Sequence, residues 1–571
     1  MSAWAESAVA ESDIIDAVNE AASSLEDNIT GDIDSKATST VNSITSVVNG
    51  KAADITEAIT DKAGDVVEEL SDKIDNIPVP LPTAVICVST QTAAYKGQTI
   101  HVDKADGYET YTGTFDADGN AEIRVGYFGK YYLYVEQASK ISVTVYNMQE
   151  IYHCNLNAQR MYGFRIYGAE ADPDSAISYH VQYNGENVVN YNYTPAHVDL
   201  ATGVMNPGDW NLEDDFFIPR SCMLKNNCEV DYYLCEDDET LRADGVTPSD
   251  VANSSYTGNA MMEWGRDGQK IYMKIVPDST PTNGSVVYIA NYKADEGFTD
   301  YPFYDANGNS IDHFYTPKYC GSLISGKLRS ISGQAPCNTQ TGPNEVSYAT
   351  ANNVNGSTEW FTEVLADRQL INYLLFMIGK STNTQAVFGE GYTTGGSAAA
   401  SLASSGTLNG KGQWFGSSVN NDKTKGVKVF GMEHWWGNIW RRTAGYLLVG
   451  GTQKVKLTWS KVDGSTQVGY DATGSGYHTI SNSTPGGTSG GYANVAIHDS
   501  KGLFPKTASG SDSTYYCDGL WFNNSNTMYA IVGGGCSNGA LCGALCVALD
   551  YAFSRSGWDY GAALSCKPLA A

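Results

Sequence analysis

A chain of 571 residues with 36 Lys and Arg against 64 Asp and Glu carries a formal net charge of −28 at pH 7. Neutralising phosphates needs a basic face, so this balance excludes nucleic acid as a partner. The length exceeds the roughly 250–300 residues at which a single core stops growing, which predicts several domains. The opening "MSAWAESAVAESDIIDAVNE" has neither a basic n-region nor an apolar core, so no secretory signal is expected.

The N-terminal region is periodic. Written in steps of eleven, segments 43–53, 54–64 and 65–75 align without gaps. Ile44, Ile55, Val66 and Ile77 share one position, Val48, Ile59 and Leu70 a second, and Ala52, Ala63 and Ile74 a third. Such a repeat gives about 3.67 residues per turn, slightly more than a straight helix, and keeping the stripe in contact demands a right-handed supercoil. Ile15, Val18, Ala22, Leu25, Ile29, Ile33, Ala37 and Val41 extend the stripe upstream, while Gly31 and Gly50 weaken it by roughly 1 kcal/mol each. Lys51, Lys62 and Lys73 recur on one flank among many acids and offer pairs between chains. The expectation is an oligomeric right-handed coiled-coil stalk over 1–77, preferred to a disordered acidic tail because the repeats agree.

Pro78, Pro80 and Pro82 stop any helix and predict an extended linker over 78–83. Then "AVICVST", "GQTIHVDK", "YETYTGTFD", "NAEIRVGY", "KYYLYVEQ" and "KISVTVYN" alternate apolar and polar residues, with turn signals at Asp118-Gly119 and from Gly126 to Gly129. Regular short strands predict a β-sandwich over 84–147, serving as a spacer.

A β-rich region over 148–349 leads into a head over 350–571. The apolar stretch 360–379, interrupted by Glu363, Asp367 and Arg368, reads as a buried helix rather than a membrane span, capped by Ser357 and Thr358. Trp435, Trp436 and Trp440 crowd around Gly437 and Asn438 and are expected in the core with their indole N–H groups paired. Enzyme motifs do not rise above chance. Gly487 to Gly491 fits G-x-S-x-G but lies in a Gly/Thr loop instead of a strand-to-helix elbow. Gly379-Lys380-Ser381 imitates the end of a P-loop but follows its helix instead of opening one. His434, alone among tryptophans, reads as a core residue. The twelve cysteines contain no C-x-x-C. Their clusters, Cys222, Cys228 and Cys235, and Cys536, Cys542, Cys546 and Cys566, read as buried thiols without metal.

"FGMEHWWGNIWRR" (430–442), "GLFPKT" (502–507), "CDGLWFNN" (517–524) and the Gly-rich run 529–565 together resemble phage receptor-binding and tail-fibre proteins with a C-type-lectin fold. These include variable proteins of diversity-generating retroelements of the major tropism determinant type. Gly437-Asn438-Ile439-Trp440 also resembles the G-N-x-W element of formylglycine-generating enzymes. The likeness covers 350–571 most specifically and reaches back towards 148 through "MYGFRIYGAEADPDS" and "STNTQAVFGEG".

The resemblance implies a multidomain protein with an α+β, C-type-lectin-like head. Its skeleton matches at Gly533, Gly534, Gly539, Gly543, Trp558, Gly561, Leu564 and Ser565, and departs at Cys536 and Ala563. It implies a receptor-binding face made by Gly535, Ser537, Asn538, Leu541, Ala548, Asp550, Tyr551, Arg555, Gly557, Trp558 and Asp559. A phage tail-fibre protein that attaches the virion to a host-cell receptor, protein or glycan, is thereby expected. It would be a homotrimer joined to other virion proteins through its stalk, assembled in the host cytoplasm, neither an enzyme nor inserted in a membrane. No cofactor is expected, and "WFNN" (521–524) lacks the acid a calcium-dependent sugar site needs. The alternatives are a structural virion fibre without a receptor role, a formylglycine-generating-type oxidase, and a bacterial surface adhesin.

Overall fold

The computed structural model describes residues 16–24, 50–52, alternate positions from 54 to 62, and 83–570 apart from 91–94, 106, 108, 136–140, 146–150, 156–158 and 214. The chain forms two compact units, Met1–Pro82 and Thr83–Ala571.

The expected N-terminal helical coiled coil is corrected. Among the described residues the protein is mostly β, with 34% strand against 13% helix in five helices, and no long coiled coil is evident. Helix occurs at 16–24 and at described positions between 50 and 62, all exposed, Val18 at 61%. The rest of 1–77, and the linker 78–82, lie outside the described residues. The physical reason is that an eleven-residue period supplies an apolar stripe, yet a polar helix gains stability only when that stripe is buried. Here the described helical turns bury nothing, and Thr56 and Thr60 turn their hydroxyls back onto the carbonyls of Ala52 and Thr56, each at 2.6 Å.

From residue 84 two sheets face each other. Ala84–Ser89 lies between Asn120–Val125, antiparallel, and Ile151–Asn155, parallel. Opposite it run Thr110–Thr114, Thr99–Lys104, Gly129–Tyr134 and Ile141–Val145 in that order. The period-two pattern explains the packing: Ile86 and Val88 sit opposite Ile123 and Ala121, and all four point into a core shared with Ile100, Val102, Tyr131 and Leu133.

Three further sheets of four or more strands follow among the described residues. A four-stranded sheet orders Tyr272–Pro277, Ser285–Ala290, Met161–Ile166 and Ile177–Ser178. A six-stranded sheet orders Val230–Tyr233, Arg220–Lys225, Gly258–Trp264, Phe314–Pro317, Leu564–Cys566 and Trp360–Thr362. The C-terminal strand is therefore inserted between strands made hundreds of residues earlier. The largest sheet centres on Trp440–Val449, which pairs with Thr527–Val532 on one side and Thr452–Val455 on the other. Val547–Leu549 and Gly519–Phe522 continue it.

The helix Leu365–Gly379 has all 15 residues buried, as expected for a sequence apolar around most of its circumference. It starts later than the sequence suggests. Trp360, Phe361 and Thr362 pair with Cys566, Ser565 and Leu564, so sheet pairing removes them from the helix. The cap also differs: Val364 occupies that position without a side-chain bond, and Ser357 donates to Glu359 at 2.8 Å instead. Trp435 anchors the centre. Its carbonyl accepts from Arg368 and from Arg441, each at 2.8 Å, and both guanidinium groups lie over its ring. Glu363 faces both arginines at 3.5 and 3.4 Å, so one carboxylate offsets part of the charge of two buried guanidinium groups, and burial and Arg441 still push Arg368 down to about 9. The indole N–H groups of Trp435 and Trp436 donate to Asn372 Oδ1 at 2.9 Å and Gly389 O at 3.1 Å, so these tryptophans belong to the core.

Candidate functional site

Two loops leave this core side by side, 533–541 and 550–561. The first is shaped by Asn438, buried and in the left-handed region at φ 62°, a conformation Asn tolerates better than other non-Gly residues. Its amide both accepts from Ala403 N–H at 2.8 Å and donates to Ala403 O at 3.1 Å. Its carbonyl takes the N–H of Cys536 at 3.1 Å, while Gly539 donates to Thr393 O at 2.8 Å. Gly534 is obligatory in this turn: at φ 77° a Cβ would stand 2.4 Å from Cys542 Sγ. Gly535 N–H closes the loop onto Asn538 Oδ1 at 2.9 Å.

The second loop is fixed through alternate carbonyls. Those of Tyr551, Phe553, Gly557 and Asp559 accept from Tyr529, Gly342, Thr339 and Trp440 at 2.9, 2.9, 2.8 and 3.0 Å. Between them, Arg555 O accepts from the guanidinium of buried Arg442, which pairs with Glu345 at 2.7 Å. Five residue types with no common motif thus hold one irregular stretch of backbone. Because the main chain bears this load, the outward side chains carry little of it.

The sequence-derived positions divide accordingly. Ser537 and Arg555 are exposed, and Asn538, Leu541, Asp550, Tyr551, Gly557, Trp558 and Asp559 are partly exposed. Gly535 and Ala548 are buried, the latter at 2% in the strand Val547–Leu549, opposite Ile531 and Trp521. Those two do not present a side chain to solvent. Within the second loop, Tyr551 leans on Tyr560 with ring centroids 5.0 Å apart, and the Arg555 guanidinium lies 5.7 Å from the Tyr551 ring. Burial pushes the Asp550 carboxyl up to about 6, and its Oδ1 has no hydrogen-bond partner. Burial also raises Asp559, with Arg555 pulling the other way. Trp558 joins the two loops, packing against a cluster that contains Cys536, Tyr392 and Ile439. The result is an aromatic and acidic surface on a fixed backbone, suited to hydrogen bonding and stacking against a ligand.

Sequence reasoning missed the supports beneath this face. The Gly437-Asn438 pair carried a local signal, since Asn beside Gly favours left-handed backbone. Arg442, Glu345 and Thr339 carried none, because their role exists only through contacts distant in sequence.

Ser285 Oγ lies 2.9 Å from His498 Nδ1, whose Nε2 meets Tyr516 Oη at 3.1 Å. Ser285 is 1% exposed, however, which closes it to substrate. Ser489 exchanges hydrogen bonds with the Phe522 backbone in a turn, away from any helix. Buried His434 is pushed down to about 4 by burial and by Arg441. Among the described residues no group of three or more His, Cys, Asp or Glu side chains is placed to hold a metal.

No protein-family model matches the chain, and no curated protein is recognisably similar to it. Among solved structures, a DUF3823 family protein from Parabacteroides merdae aligns with a TM-score of 0.12 and 10% identity over 15% of this chain. The chain spans about half of that relative, 54% of its length.

Proposed function

We propose that this protein is an attachment protein that binds a receptor on a host-cell surface through the face formed by 537–541 and 550–559. The observation that carries the reading is the division of labour in the second loop. Its carbonyls at 551, 553, 555, 557 and 559 are held by framework donors, while Tyr551, Arg555 and Asp559 keep solvent-accessible side chains. Side chains relieved of folding duty are free to serve recognition, and most such surface substitutions change stability by no more than about 0.5 kcal/mol. The resemblance to phage receptor-binding proteins supplies the class of partner, a place on the virion and self-association as a homotrimer. The test uses the full chain, because the six-stranded sheet draws strands from both sides of residue 350. Labelled protein is titrated onto candidate host cells beside the double variant Tyr551→Ala/Arg555→Ala. Loss of about tenfold or more in affinity with unchanged thermal unfolding is expected. Equal binding by both proteins overturns the assignment of this face, and a lack of binding to any host cell favours a structural role.

A further inference from the structure

Twelve cysteines are reduced in the structure, and all but Cys87 and Cys235 are buried. Two of them, separated by 338 residues, meet: Cys228 Sγ and Cys566 Sγ are 2.9 Å apart. Cys228 stands in the turn joining Arg220–Lys225 to Val230–Tyr233, with left-handed backbone at φ 64°. Cys566 ends the C-terminal strand, paired with Tyr315 on one side and Trp360 on the other. The turn reaches across the sheet to this strand, since Asn226 O accepts the Trp360 indole N–H at 2.8 Å. Both sulfurs lie in one apolar cluster with Leu224, Met261, Trp360 and Leu564.

We propose that Cys228 and Cys566 are an oxidation site that closes to a disulfide, tying the C-terminal strand to the 226–229 turn past the two strands that separate them in the sheet. Two features favour it. The sulfurs need approach by only about 0.9 Å from their 2.9 Å separation to reach bonding distance. Cys222 and Cys337 belong to the same cluster, but among the described residues Cys228 and Cys566 are the pair whose sulfurs meet, and a thiol without such a neighbour has no partner to trap an oxidised intermediate. Accessibility orders the steps: Cys228 is 9% exposed and Cys566 is sealed at 0%.

With hydrogen peroxide as oxidant, the Cys228 thiolate attacks one peroxide oxygen. The O–O bond breaks, and hydroxide leaves to take up a proton as water. The resulting sulfenic acid is attacked by the Cys566 sulfur; an S–S bond forms, the S–O bond breaks, and the departing hydroxide leaves as water with the Cys566 proton. Two thiols and one peroxide thus give one disulfide and two waters, the sulfur pair losing the two electrons that the peroxide gains.

The bond would act on the base of the candidate face. Leu564–Cys566 is separated from Gly561 by Ala562 and Ala563, so fixing Cys566 removes freedom from the strand that follows the 550–561 loop. Closing a loop of this length restricts the unfolded chain strongly.

The experiment treats the full-length folded protein with hydrogen peroxide, alkylates the remaining thiols after denaturation, and maps unreduced peptides by mass spectrometry. The expected result is a peptide pair containing Cys228 and Cys566, two hydrogens lighter than the separate thiol peptides and split by reductant. The thiol count should fall by two from the twelve present. The thermal midpoint of oxidised protein should rise by a few degrees and return on reduction. In Cys566→Ser, Cys228 should instead stop at a sulfenic acid captured by dimedone. Recovery of Cys566 as a free, alkylatable thiol while Cys228 is over-oxidised, or its appearance in a bond to another cysteine, overturns the proposal. The wild-type map decides the matter even where the serine variant does not fold.

Discussion

Arg442 and Glu345 form a buried ion pair at 2.7 Å whose cationic partner also holds the main chain of the exposed loop at Arg555. A residue 113 positions away in sequence thereby sets the backbone beneath the candidate face. Arg442→Ala leaves Glu345 buried without its partner, and such losses cost about 3–5 kcal/mol. Glu345→Gln leaves Arg442 buried without a counter-charge, but burial already pushes this carboxyl up to about 7 and the amide oxygen still accepts from Arg442, so its cost should be smaller, about 1–3 kcal/mol. Urea unfolding compares the two variants. Amide exchange should accelerate at 552–559 in Arg442→Ala.

Asn438 combines left-handed backbone with a two-way pairing to Ala403. Asn438→Ala loses both, at about 2–4 kcal/mol. Asn438→Gly restores the backbone freedom and should recover about 1 kcal/mol of that loss. Chemical denaturation of the three proteins reads the difference; equal stability of the Ala and Gly variants would show that the backbone conformation carries no cost.

Ser537 and Arg555 are exposed, whereas Ala548 is 2% exposed and sheet-paired on both sides. Ser537→Ala and Arg555→Ala should each stay within about 0.5 kcal/mol of the parent. Ala548→Asp should cost several times more, since it buries a carboxylate with no counter-charge. Thermal midpoints of the three variants test whether the backbone alone carries the loops.

Glu433 supplies the pH prediction. Burial pushes it up to about 7 from an ordinary 4.5, against Lys428 and with Glu239 adding to the rise. The folded state therefore binds more protons than the unfolded state between these values. Glu433's contribution is fully present below about pH 4.5 and is lost as the pH climbs to about 7, a change on the order of 1–3 kcal/mol. His434, pushed down to about 4, acts in the opposite sense and loses its contribution as the pH falls from 6.5. Subtracting the thermal profile of Glu433→Gln from that of the parent isolates the first effect. The difference should slope between pH 4.5 and 7 and be flat above.

The parts legible in the sequence are those whose physics is local. Each of the six alternating segments between 84 and 147 carries a strand, because period-two burial is written directly in residues such as Ile86, Val88, Ile100 and Val102. The apolar run of Leu365–Gly379 is likewise buried helix. Trp360 shows where this stops: its neighbours suit a helix, and its pairing with Cys566 makes a strand. The coiled coil failed for a related reason, as a stripe such as Ile55, Ile59 and Val66 states what a helix would bury and not whether a partner buries it. At the candidate face, Ser537 and Arg555 were legible as exposed polar residues in a Gly-rich setting. Gly535 and Ala548 were not separable from them, because burial there is decided by Trp440, Ile531 and Trp521, which lie on other segments.

The placement of Leu564–Cys566 between Phe314–Pro317 and Trp360–Thr362 also governs the order of assembly. During synthesis the ribosome releases both flanking strands long before the one that belongs between them. Until residue 566 has emerged, the nascent chain must keep a vacant slot with unpaired edges on each side. Closure of this sheet consequently waits for Leu564–Cys566, and any product that stops short of residue 564 exposes two open edges to whatever strand arrives first.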